Sequence, residues 1–89
     1  MLFRSDLFAD LRVAYAATLP EQVAGLVALL EPVTGTDEAL KLAHKLHGTA
    51  GTYGLVAVSE AAGRIEEALR AGDHARIPDA LRALRAAVG

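Results

Sequence analysis

The stretch Ala43-His44-Lys45-Leu46-His47-Gly48-Thr49-Ala50-Gly51-Thr52-Tyr53-Gly54-Leu55 sets the reading of the whole chain. Its apolar residues return at three- and four-residue steps, the period of a helix with one buried face. Two glycines nevertheless sit inside it, and each costs a helix about 1 kcal/mol relative to alanine. Projected at about 100° per residue, Leu42, Ala43, Leu46, Thr49, Ala50 and Tyr53 gather on one side. His44 falls nearly opposite. Gly48, Gly51, Leu40 and Leu55 lie close to it, Lys41 and His47 flank the patch, and Lys45 and Thr52 stand further round. The projection predicts an exposed imidazole on a smooth helix surface with cations at its edge, open to a second protein.

The same three- and four-residue steps continue almost from end to end, and strand-like alternation is absent. Ser5 and Asp6 are a plausible helix start, from which Phe8, Leu11, Tyr15, Leu19, Val23, Leu26 and Leu30 continue one stripe. Pro20 interrupts it and leaves a first helix that is kinked or split; the unbroken phase of the stripe favours one bent element. Glu31-Pro32-Val33-Thr34-Gly35 is a turn. Thr36 then caps a second helix running to about Tyr53, with Asp37 and Glu38 favourably placed at its positive end and Gly54 as its stop. Leu55, Val58, Ala62, Ile65 and Leu69 mark a third helix, closed by Ala71-Gly72-Asp73. Ile77, Leu81, Leu84 and Val88 mark the last, with Pro78 and Asp79 in its first turn. Short connections make neighbouring helices antiparallel, so the expected architecture is an all-α, up-down four-helix bundle forming a single domain over residues 1–89.

Composition narrows the function. The chain has 89 residues, 53% of them hydrophobic, with two Phe, two Tyr and no Trp, so Ala, Leu and Val must fill the interior. Nine basic against eleven acidic residues give a formal charge of −2 without a basic block, which argues against nucleic acid. The absence of cysteine excludes disulfides and thiolate metal sites and fits a cytoplasmic setting. The first residues lack the apolar core of a signal peptide, and no apolar run is expected to approach the roughly 20 residues that span a bilayer, so no membrane partner is expected.

Antiparallel pairing of the second and third helices about Gly54-Leu55 puts His44 level with Glu66. There Glu66 could accept a hydrogen bond from Nδ1–H and leave Nε2 as the nucleophile. The alternative reading gives Glu66 and Glu67 to a solvated face shared with Arg64 and Arg70. A metal site on His44, His47 and Glu66 is disfavoured, because the Glu-x-x-His repeats of di-metal bundles are missing and the nearby lysines repel a cation. His74 reads as a surface residue in a turn. Tyr53 and Tyr15 read as core, the hydroxyl of Tyr15 reaching the surface.

The Ala43-His44-Lys45-Leu46-His47-Gly48-Thr49-Ala50-Gly51-Thr52-Tyr53-Gly54 stretch resembles the motif of histidine phosphotransfer (HPt) domains, which runs roughly Ala-His-x-Leu-Lys-Gly-Ser/Gly-Ala-x-x-x-Gly. The resemblance extends from about Asp10 to Ala87. It implies a monomeric helical bundle that takes a phosphoryl group on His44 from a receiver-domain aspartate, or from a kinase catalytic domain, and passes it to another receiver. Such a carrier is no enzyme by itself and needs no cofactor, since Mg²⁺ sits on the receiver. The family often carries a Leu/Ile-Glu pair at the distance of Ile65-Glu66, which supports the orienting role of Glu66. His47 stands where the family usually has lysine; Lys41 or Lys45 could compensate for the charge near the phosphoryl group. Leu40, Gly48, Gly51, Thr52 and Leu55 are the candidate docking residues. The competing expectation is a degenerate docking module that binds a receiver or kinase without phosphotransfer.

Overall fold

A computed structural model describes residues 3–89, the side chains of residues 3–6 excepted. The described residues form five α-helices: α1 (Phe3–Ala16), α2 (Leu19–Leu30), α3 (Thr36–Thr52), α4 (Val56–Ala71) and α5 (Ile77–Val88), the last preceded by a 3₁₀ turn over His74–Arg76. Helices α2 to α5 close the four-helix bundle. Each packs on its neighbour in sequence, and α2 also meets α5. At that closure Arg85 on α5 holds Glu31, just past the end of α2, at 2.9 Å.

The first stripe is split by a turn at Ala17–Thr18, the second of the two forms expected, where one bent helix had been favoured. α1 ends at Ala16 and α2 starts at Leu19, with Pro20 in its first turn. Proline has no N–H to donate, and its ring crowds the carbonyl four residues back, at Ala16. Thr18 therefore fills the joint: its hydroxyl donates to the Tyr15 carbonyl at 2.6 Å and accepts from Gln22 Nε2 at 2.8 Å. α1 starts at Phe3, ahead of the Ser5 expected to open it.

Leu7–Leu30 is, by length and composition, apolar enough to cross a membrane, contrary to the expectation that no segment would be. Its two halves differ. Leu19, Val23, Leu26 and Leu30 of α2 are buried in the bundle, whereas Leu7, Phe8, Leu11 and Val13 of α1 are exposed.

Two smaller differences concern α3 and Tyr15. Thr36 is the first residue of α3 rather than its cap. Gly35 takes the cap position, where its N–H donates to the Leu29 carbonyl and its bare Cα lies close against the Leu29 side chain. The Tyr15 hydroxyl is enclosed instead of reaching the surface, and burial pushes its pKa up. Its ring stacks on Tyr53 at 4.9 Å, and Phe8 meets the same ring at 5.8 Å, so Tyr53 links the end of α3 to α1.

The α3–α4 hairpin positions everything that follows. Gly54 turns the chain at φ 74, the left-handed region that a residue with a side chain adopts only under strain. Behind it the Leu55 N–H returns to the Ala50 carbonyl. Ala39, Ala43, Leu46 and Ala50 of α3 lie in the core with Val58, Ala61, Ala62, Ile65 and Ala68 of α4. Small residues on both helices let the backbones approach closely.

Candidate functional site

Close approach gives the edge of this seam one register. Gly51 faces Ser59, His47 faces Gly63, and His44 faces Glu66. The pairing anticipated for His44 and Glu66 is therefore present. The Ser59 hydroxyl donates to the His47 carbonyl at 2.8 Å and ties the two helices together beside the histidines.

His44 stands on the outer side of α3 with its side chain 69% exposed. Its Nδ1 lies 2.6 Å from Glu66 Oε2. Glu66 itself is buried, its side chain only 6% exposed, so it belongs to neither the solvated face nor the apolar core. Three groups converge on its carboxylate. His44 Nδ1 and Arg70 Nη2 approach Oε2 at 2.6 and 2.8 Å, and His47 Nδ1 approaches Oε1 at 3.1 Å. Burial alone pushes the Glu66 pKa up. The hydrogen bonds from His44 and His47, with the positive charge of Arg70, outweigh that and hold it below the ordinary carboxylate value.

An ionised carboxylate can only accept hydrogen bonds. Both histidines must therefore carry a proton on Nδ1. In the neutral ring this leaves Nε2 with its lone pair free. On His44 that atom is the one directed away from Glu66, on an imidazole open to solvent. The site is thus a nucleophilic nitrogen whose tautomer is set by a buried acid, the acid being neutralised in turn by an arginine.

The other anticipated residues are placed as follows. Lys41 and Lys45 are exposed, and among the described residues neither enters an ion pair. Gly48 is exposed, and a Cβ there would meet nothing within 4 Å. Gly51 has a reason inside the chain, because a Cβ there would come within 3.2 Å of Ser59 Oγ. Thr52 turns its hydroxyl back to the Gly48 carbonyl at 3.1 Å. Leu40 and Leu55, expected to be exposed, are each partly buried, and Leu55 packs against the core where the chain enters α4. Glu67 is exposed and pairs with Arg76 at 3.2 Å. His74 is exposed, as anticipated.

Sequence reasoning missed that His47 and Arg70 share Glu66 with His44. The signal for Arg70 was its place four residues after Glu66 on one helix. For His47 it was the bare Gly63 opposite, where a Cβ would lie 3.2 Å from the imidazole Cε1. Among the described residues no three His, Asp or Glu side chains are arranged to hold a metal ion.

Comparison with known proteins identifies the family. The profile of the Hpt domain family matches residues 10–89, and the chain belongs to that family. Its members are phosphocarriers that work with receiver domains and kinases in phosphorelays. Neither the curated proteins nor the solved structures give a significant match.

Proposed function

We propose that this chain carries a phosphoryl group on His44 Nε2 between receiver-domain aspartates in a two-component phosphorelay. The observation that carries the reading is the hydrogen bond from an exposed His44 to a buried, ionised Glu66. In the step proposed, the Nε2 lone pair attacks phosphorus in a receiver's aspartyl phosphate. The Nε2–P bond forms as the P–O bond breaks, and the electron pair leaves with the aspartate. The Nδ1 proton stays between His44 and Glu66, whose negative charge stabilises the cationic ring. Return transfer reverses the same bonds.

Such a step rests on positioning and on balancing charge at the phosphoryl oxygens, so the carrier needs little apparatus. In this reading the receiver brings Mg²⁺, and the chain has no cofactor of its own. Lys41 and Lys45 supply mobile positive charge at the rim. Gly48 supports partner access, because nothing inside the chain explains a glycine there. The receiver would approach over Gly48, with Leu40 at the margin of a small, transient contact.

Incubation with a phosphorylated receiver tests the proposal. The expected product is an acid-labile, base-stable phosphoryl group on the chain, absent from His44→Gln. Binding of the receiver without any transfer would replace the carrier by a docking module.

A further inference from the structure

The carboxylate of Glu66 organises two imidazoles, and only one of them is needed as the acceptor. His47 donates its Nδ1–H to Oε1 while His44 and Arg70 occupy Oε2. The ring of His47 reaches this position over Gly63, where a Cβ would stand 3.3 Å from its Nε2. His47 is nonetheless 49% exposed, so solvent reaches its ring. With Nδ1–H committed to Glu66, Nε2 is the one nitrogen on which a further proton can land.

From this arrangement we infer that His47 takes up a solvent proton at Nε2 when His44 becomes phosphorylated, forming an imidazolium beside the phosphoryl group. The inference rests on the reading of His44 as the carrier. The two residues are neighbours on one helix face, one turn apart, so a dianionic phosphoryl group on His44 acts on His47 well within the Debye length of about 8 Å. The charged group that meets His47 from α4 is Glu66, which Arg70 pairs in turn on its other oxygen. Those two charges offset one another, so the arriving phosphoryl group changes the charge that His47 meets, with the exposed Lys41 and Lys45 offsetting it only in part. The proton comes from solvent and forms the Nε2–H bond. The imidazolium then supplies the positive charge that a permanent cation would otherwise provide, and it does so only while the group is on His44. His47 is thus a positioning residue for the phosphorylated state, which it stabilises by proton uptake near neutral pH, apart from the hydrolysis that stronger acid brings to the P–N bond.

The test uses the whole chain labelled with ¹⁵N in its imidazoles and phosphorylated chemically with phosphoramidate, which needs no receiver. Nitrogen shifts of all three histidines are followed against pH before and after labelling. The expected result is a phosphoryl group on His44 and an upward move of the His47 titration midpoint by about one pH unit or more, the size of effect a close opposite charge exerts. The exposed His74 serves as the internal control and should not move. His47→Gln should still accept the group on His44 but lose the proton uptake, and His47→Lys should accept the group with no proton taken up near neutral pH. An unmoved His47 midpoint in a chain labelled on His44 overturns this inference alone, as does a phosphoryl group found on His47. Failure to label His44 at all overturns the carrier reading and this inference with it.

Discussion

The two faces of α3 obey different rules. On the inner face Ala39, Ala43, Leu46 and Ala50 are almost wholly buried, and each is accounted for by what it touches in the bundle. On the outer face His44, Lys45 and Gly48 are exposed, and Gly48 touches nothing that would require a glycine. Between them Glu66 sits buried at the seam and holds an imidazole of the outer face by a hydrogen bond. Packing explains the inner face completely. The outer face is where the proposed partner would dock.

Substitutions on the two faces should therefore separate stability from function. Leu46→Ala removes a fully buried side chain, and a cost of about 2–5 kcal/mol is expected. Thermal unfolding should record it, while the molecules that remain folded still accept a phosphoryl group. Glu66→Gln acts on both properties, because it removes the anion that His44, His47 and Arg70 share. A stability loss of about 1–3 kcal/mol and a slowing of phosphoryl transfer by about 10-fold are expected, the scale of a lost charged hydrogen bond. Denaturant melts and single-turnover transfer would measure the two separately. If transfer were unchanged, Glu66 would be a structural residue only.

Acid should reproduce part of that stability loss in the unaltered chain. The Glu66 pKa is lower in the folded than in the unfolded state. Its contribution is therefore complete above the unfolded value near 4.5 and fades as pH falls through the lower folded value. Melts between neutral pH and pH 3 should show this fading, and Glu66→Gln should lack it.

Gly48→Ala is the smallest change and the sharpest contrast between the faces. Stability should rise by up to about 1 kcal/mol, since a helical alanine replaces a glycine in open space. Transfer from a receiver should slow a few-fold, because a methyl group now stands on the docking surface, whereas labelling by phosphoramidate should be unaffected. Equal transfer from the receiver would remove the docking role of Gly48.

The legible part of this molecule follows from periodicity and from one short turn. Residues repeating on a helical period separated the two faces of α3. The brevity of Tyr53-Gly54-Leu55 left little freedom in pairing α3 with α4, so Glu66 could be placed beside His44 before any coordinates. Features set by side-chain direction and local sterics were less accessible. A stripe that keeps its phase says nothing of the donor that Pro20 lacks, so the gap between α1 and α2 was hidden. Projection on a wheel put Gly48 and Gly51 together, yet only the second stands against Ser59. Leu40 and Leu55 lie near helix ends, where an ideal wheel ceases to describe direction, and both turn partly inward. That two imidazoles share one carboxylate depends on ring rotation over Gly63, which spacing alone does not reveal.

The carrier role of His44 turns on which nitrogen receives the phosphoryl group. Transfer from a phosphorylated receiver to the ¹⁵N-imidazole-labelled chain, followed by ³¹P–¹⁵N coupling, reads this directly. The prediction is a single coupled nitrogen, Nε2 of His44, with Nδ1 still protonated against Glu66. Coupling to Nδ1 of His44, or to either nitrogen of His47 or His74, would contradict it.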